Sequence, residues 1–242
     1  MKRRAFWMAA IFFSFSLFSI SPTSAAGAGQ SAKAKDAAEQ SRDLSGVWFT
    51  QGSVRANFSF EGASAFLPWG EERFKAGPQK DALVVLCIPP GVPRVWTEPY
   101  PFEIIQLQGR ILIIYEYQHL IRQIFTDGRD HPQDLTPTYM GNSVGKWQGN
   151  TLVVDTIGYN DKTWIDGSKH PHSDQLHTVE RIERVGHDVL KIEVAIDDPK
   201  TYVKPWTVQR IFDLKPGWEI SEQVCEENNT YLFPPDNSKS EK

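Results

Sequence analysis

The stretch Phe102-Glu103-Ile104-Ile105-Gln106-Leu107-Gln108-Gly109-Arg110-Ile111-Leu112-Ile113-Ile114-Tyr115-Glu116-Tyr117 decides the fold. Two apolar, β-branched runs flank a Gln-Gly pair, the pattern of a β-hairpin. In the second run Ile111, Ile113, Tyr115 and Tyr117 fall on one face, and Leu112, Ile114 and Glu116 on the other, because successive side chains on a strand point to opposite sides. Leu120 to Thr126 continues as a third strand and ends at Asp127-Gly128-Arg129, another turn signal.

The same pattern extends in both directions. Upstream, Leu44 to Phe49 predicts an opening strand and Pro68 to Ala76 a short helix. Ala82 to Cys87 is an apolar run stopped by Pro89-Pro90-Gly91-Val92-Pro93, which cannot stay in a sheet. Downstream, Ser143 to Trp147 turns at Gln148-Gly149-Asn150 into Thr151 to Ile157. Leu176 to Val185 turns at Gly186-His187-Asp188 into Val189 to Ile196. Val203 to Leu214 turns at Lys215-Pro216-Gly217 into Trp218 to Glu226. Roughly nine to eleven strands with short connections predict an all-β fold, a single closed antiparallel barrel with one short helix. Trp48, Trp147 and Trp218 lie on strands and are expected in the core. Trp69 and Trp96 flank Pro-rich segments and are expected at the rim.

The first 26 residues read as a secretory signal. Lys2-Arg3-Arg4 is a basic start, Ala5 to Ile20 is apolar, and Ser24 and Ala26 suit the −3 and −1 positions of a cleavage site. The apolar run is shorter than the ~20 residues of a membrane span. Residues 27–42 lack aromatics and read as a flexible leader. Residues 43–235 form the folded domain and residues 236–242 a polar tail. The chain is thus expected in the periplasm or secreted, with no membrane span after cleavage. Losing the three basic residues takes the formal net charge from −4 to −7. The lack of a basic stripe argues against nucleic acid as a partner. An acidic, Trp-rich exported domain suits a small-molecule ligand. The two cysteines, Cys87 and Cys225, imply one disulfide in an oxidising compartment. No Cys/His spacing suits a structural zinc, and no dinucleotide or phosphate-loop motif is present, so no cofactor is expected.

Gly46-Val47-Trp48 resembles the Gly-x-Trp start of lipocalins and other calycins. Cys87-Ile88-Pro89-Pro90-Gly91-Val92-Pro93-Arg94, Tyr100 to Gln106, Gly145 to Thr156, Asp197-Asp198-Pro199 and Pro205-Trp206 resemble motifs of a large group of uncharacterised exported bacterial proteins. The resemblance runs from Leu44 to Asn229. It implies export and a calycin-like barrel, and it carries no activity.

Three of the six histidines fall in His170-Pro171-His172-Ser173-Asp174-Gln175-Leu176-His177. Imidazole is suited to proton transfer near neutral pH. Pro171 and the long loop from Gly158 to Asp174 place this segment at a barrel mouth. His172 and His177, with Glu180 or Glu116, are therefore the candidate acid–base residues. Arg122, Asp155, Asn160, Asp161, Trp164, His170 and Arg181 are the candidate binding residues, Trp164 by stacking at the mouth. The alternation puts Asp155 with Val153 and Ile157, Glu180 with Thr178 and Ile182, and Arg181 with His177 and Val179. Buried carboxylates need Arg partners, so Glu116, Asp155 and Glu180 either line a pocket floor or pair with Arg122 and Arg181. No metal is expected. Gly141-Asn142-Ser143-Val144-Gly145 has the spacing of a nucleophile elbow without its strand-to-helix context. Three function classes follow: a binder of a small, largely apolar ligand in the barrel, an isomerase, lyase or hydrolase on the same scaffold, or a structural envelope protein with a filled barrel.

Overall fold

A computed structural model of the chain describes residues 42–52, 62–77 and 86–227. The signal segment, most of the leader, most of the apolar run Ala82–Cys87 and the polar tail lie outside the described residues.

Nine strands close into one barrel in chain order. They are β1 (Gly46–Thr50), β2 (Phe102–Leu107), β3 (Arg110–Tyr115), β4 (Ile121–Phe125), β5 (Asn142–Gln148), β6 (Thr151–Ile157), β7 (His177–Gly186), β8 (Val189–Asp197) and β9 (Trp206–Leu214). The expected helix, α1, spans Pro68–Ala76 with Pro at its first turn, where a missing N–H costs nothing. The hairpin that opened the sequence reading forms in register, Phe102 opposite Tyr115 and Leu107 opposite Arg110. Its turn depends on Gly109 at φ +75°, a conformation that residues with a Cβ avoid.

The short connections predict a wholly antiparallel barrel, but one junction is parallel. β4 and β5 run parallel, paired at Ile124–Ser143 and Phe125–Val144. The reason is parity. Nine strands that strictly alternated would bring β9 beside β1 in the same direction, yet β1 and β9 pair antiparallel. One parallel junction restores that closure, and the connection 126–141 supplies the return crossing that a hairpin cannot.

The expected strand over Trp218–Glu226 does not form. β9 already pairs with β1, so no edge remains for a tenth strand. Instead the segment is tied to the β3–β4 connection. Glu116 accepts a hydrogen bond from the Ser221 N–H at 3.0 Å, and Gln223 accepts one from Gln118 N–H at 2.7 Å. The disulfide between Cys87 and Cys225 then closes a separation of 138 residues. Trp218 is consequently half exposed, whereas Trp48 is buried and Trp147 packs against the core.

Trp96 departs from the rim position expected of it. The short 3-10 helix Arg94–Thr97 is buried throughout and sits at the end of the barrel opposite the tight turns. From it Trp96 enters the interior, where its ring meets Phe102 at 5.1 Å and Tyr115 at 5.5 Å, while Phe102 meets Phe212 at 5.0 Å. Such edge-to-face contacts add to the area each ring buries.

Among the described residues no helix is long and apolar enough to cross a membrane.

Candidate functional site

Alternation along the strands sorts the charged residues between two faces. Inward, β4 contributes Arg122, β5 Ser143, β6 Thr156 and β7 Glu180. Arg122 and Glu180 are 1% and 0% exposed. Their side chains form a bidentate ion pair. Arg122 Nη1 donates to Glu180 Oε1 at 2.9 Å, and Nη2 donates to Oε2. Nε and Nη2 also donate to Ser143 Oγ at 3.2 and 3.1 Å, and Nη2 to Thr156 Oγ1 at 3.1 Å. Trp96 Nε1 donates to Glu180 Oε1 at 2.6 Å. Burial would lower the guanidinium's pKa, but the adjacent Glu180 carboxylate more than reverses this. The group is thus held charged in the core. Beside it, Tyr115 is buried and its pKa is pushed up, mainly by burial.

Outward, β6 contributes Asp155 and β7 His177. His177 Nε2 lies 2.9 Å from Asp155 Oδ2, and His131 Nε2 lies 2.9 Å from Asp155 Oδ1. His131 Nδ1 in turn lies 2.7 Å from Asn142 Oδ1. One carboxylate therefore spans two imidazoles on the barrel exterior. Burial acts to raise the Asp155 pKa, but the hydrogen bonds from His177 and His131 outweigh it and hold the carboxyl below its usual range. A depressed carboxylate contributes stability that is present above its ordinary pKa and is lost as pH falls through the folded value. Because Asp155 is 42% exposed, the contribution is expected to stay under about 1 kcal/mol. In urea titrations between about pH 5 and pH 2, Asp155→Asn should flatten the acid limb of the stability profile. An unchanged acid limb would show that the bridge contributes nothing.

The remaining candidates fall elsewhere. His172 is buried in the β6–β7 connection, with Nε2 2.7 Å from Thr163 Oγ1 and Nδ1 3.1 Å from the Ser173 carbonyl; burial lowers its pKa. It holds a loop together as a neutral ring. His170 Nδ1 lies 2.8 Å from Asp166 Oδ2 and its ring stacks near Phe74. Trp164 bridges to Pro171 and packs close to Gly77 behind α1. Asn160 caps its own turn through Lys162 N–H, and the Asp161 carbonyl accepts from Arg73. Arg181 is exposed and reaches Gln148. Glu116 anchors the C-terminal segment. The four acid–base candidates therefore do not converge. His177 and Glu180 are three residues apart on one strand and so face opposite ways, and His172 and Glu116 lie in separate connections.

What the structure does bring together is a cleft of about 200 Å³ at the parallel seam. β4 and β5 pair only at two positions, so β4 from Ile121 to Gln123 has no β5 partner. Ile121, Phe125 and Met140 line it together with the polar Gln123 and Asn142, and Arg122, Gly141 and Ser143 complete the wall. Ile121 is 59% exposed. Gly141, at φ +65°, keeps the wall thin: a Cβ there would meet the Ile157 carbonyl oxygen at 2.8 Å. Ser143, the central residue of the elbow-like spacing, is committed to Arg122 and Thr156 and sits on a strand, so it is not a nucleophile elbow. A second cleft of similar size lies over the disulfide, between Gln118, His119 and Gln223, with no large apolar side chain in its wall.

No protein family profile matches the chain, and no curated protein matches it. Among the described residues no group of three or more His, Cys, Asp or Glu side chains is arranged to hold a metal ion.

Arg122, Asp155 and Glu180 were recognisable from strand alternation. His131, Asn142, Ser143, Thr156 and Trp96 were not singled out as site residues. His131-Pro132 repeats the His-Pro pair of His170-Pro171, which was the available signal for the first. Polar Ser143 and Thr156 at inward positions of β-strands were the signal for two more.

Proposed function

We propose that this is an exported, calycin-like protein that binds a small, largely apolar molecule at the β4–β5 seam. The observation that carries the proposal is the cleft itself: exposed Ile121 with half-buried Phe125 and Met140, the polar Gln123 and Asn142 beside them, and the charge-paired Arg122 in the wall. Pockets for small molecules combine an apolar lining with a few placed polar groups. At about 200 Å³ the cleft admits only a small fragment. That is well below a drug-sized pocket. A ligand of that size reaches an affinity on the order of millimolar to micromolar. Trp96 and its aromatic neighbours occupy the barrel end, which favours the wall over the lumen as the binding place. The signal-like N-terminus and the disulfide support export to the periplasm or beyond.

The expected result is that neutral fragments of roughly five to ten heavy atoms raise the melting temperature of the wild-type protein. Met140→Trp, which fills the cleft, should remove that response while leaving the unliganded melting temperature within a few degrees. A Met140→Trp protein that responds as the wild type does would place binding elsewhere. A wild type that responds to no fragment would favour a filled, structural barrel.

A further inference from the structure

The main chain of β4 is open along part of the seam. Tyr115 N–H donates to the Leu120 C=O at 2.8 Å, and Thr126 N–H to the Gly109 C=O at 2.9 Å. Even-numbered positions therefore serve β3, and the main-chain groups of Ile121, Gln123 and Phe125 face β5. The parallel register at Ile124–Ser143 and Phe125–Val144 occupies the Gln123 C=O and both groups of Phe125. It goes no further. The next partner in that ladder would be Gly141, whose φ of +65° turns the chain out of line. Its carbonyl takes the Thr138 hydroxyl at 3.5 Å instead. The Ile121 C=O and the Gln123 N–H are thus left on the open side of β4, with no hydrogen bond among the described residues. Both residues are exposed and line the seam cleft. An open strand edge is a template for another extended chain.

Resting on the seam-cleft reading, we infer that the ligand is a short peptide unit, an acylated amino-acid amide in extended form, which takes the ladder position that Gly141 leaves empty. Its residue N–H donates to the Ile121 C=O, and its residue C=O accepts from the Gln123 N–H. The N–H and C=O of one extended residue point to the same side, so a single residue makes both bonds. A lone amide does not, because its planar trans geometry sends N–H and C=O in opposite directions. A ketone or ester fills the cleft but brings no donor for the Ile121 C=O. The side chain and end groups of the unit lie against Ile121, Phe125 and Met140. In strand addition of this kind, main-chain hydrogen bonds give affinity and adjoining side chains give specificity. A cleft of about 200 Å³ limits the unit to about one residue with its end groups.

The test uses three probes: N-acetylalanine N-methylamide, its depsi analogue with oxygen in place of the alanine N–H, and 2-hexanone. They are titrated into wild type, Gln123→Pro, Gln123→Val and Met140→Trp. NMR supplies the dissociation constants, and circular dichroism checks that each variant is folded. Proline removes the Gln123 N–H at an edge position where no ladder bond is lost, whereas valine removes only the side chain. Wild type is expected to bind the peptide unit at least ~3-fold more tightly than the depsi analogue, the size of one net hydrogen bond. Gln123→Pro should weaken the peptide unit by a similar factor, and Gln123→Val should leave it within about twofold. Met140→Trp should weaken the peptide unit and 2-hexanone alike. The peptide ligand is wrong, while the seam site stands, if wild type binds 2-hexanone but not the peptide unit, or binds the peptide unit and its depsi analogue equally. It is also wrong if folded Gln123→Pro keeps full affinity, or if Gln123→Val loses as much. Should Gln123→Pro not fold, the wild-type comparison of peptide and depsi analogue decides alone. If no probe binds, or if Met140→Trp weakens none of them, the seam site itself is wrong and the peptide ligand falls with it.

Discussion

Glu180→Ala is expected to destabilise the barrel by about 3–5 kcal/mol, because it strands Arg122 as an unpaired charge in the core. The change also takes the acceptor from Trp96 Nε1, whose 2.6 Å hydrogen bond fixes the residue that enters the barrel end. Neither Ser143 nor Thr156 can replace a carboxylate, since a hydroxyl leaves the guanidinium charge uncompensated. The converse experiment separates the cost of breaking the pair from its net worth. Arg122→Met combined with Glu180→Leu removes both charges and keeps comparable volume, and such replacements are often close to neutral. The double variant is therefore expected to recover most of the loss. Urea denaturation of wild type, Glu180→Ala and the double variant gives the three values. A Glu180→Ala loss under about 1 kcal/mol would contradict the buried, bidentate geometry, because that is the range of an exposed pair.

Removing the disulfide is the second large effect. Cys87 and Cys225 are 138 residues apart, and in the chain-entropy model a loop of that length contributes roughly 5 kcal/mol, with native bonds typically contributing 2–5 kcal/mol. The bond also does something local. The segment after β9 lacks strand partners, and its described hydrogen bonds to the β3–β4 connection involve Ser221 and Gln223. The Cys87→Ala/Cys225→Ala protein is expected to lose roughly 2–5 kcal/mol in urea denaturation. Amide exchange at Gln118 should also accelerate well beyond exchange in β6 to β8. Stability within about 0.5 kcal/mol of wild type would mean that the bond neither restrains the unfolded chain nor holds the C-terminal segment in place.

The strands were legible because inward positions are apolar and outward positions mixed, as in Thr151 to Ile157 and Val189 to Asp197. The same period separates Glu180 from His177, since residues three apart on a strand face opposite sides. Alternation says which face a charge occupies, but not which partner it meets across the barrel. Arg122 and Glu180 are 58 residues apart, and only closure of the sheet through the parallel seam brings β4, β5, β6 and β7 into one arc. The seam was not legible for a related reason. It follows from counting strands to an odd number, and the expected tenth strand at Trp218–Glu226 hid that parity. Trp96 was misplaced because Pro-rich flanks point to a surface loop, whereas here they turn the chain back into the barrel end. The pairing of the cysteines was simpler, since two residues admit one bond.

The seam cleft is tested most directly by methyl NMR of Ile121 and Met140 while 2-hexanone is titrated into the wild-type protein. The account predicts saturable shifts at these two methyl groups, with the Trp96 indole N–H responding through Glu180 and Arg122, and little change at Leu107 or Val203 on other exposed parts of the barrel. Shifts absent from Ile121 and Met140, or no larger there than at Leu107 and Val203, would contradict it.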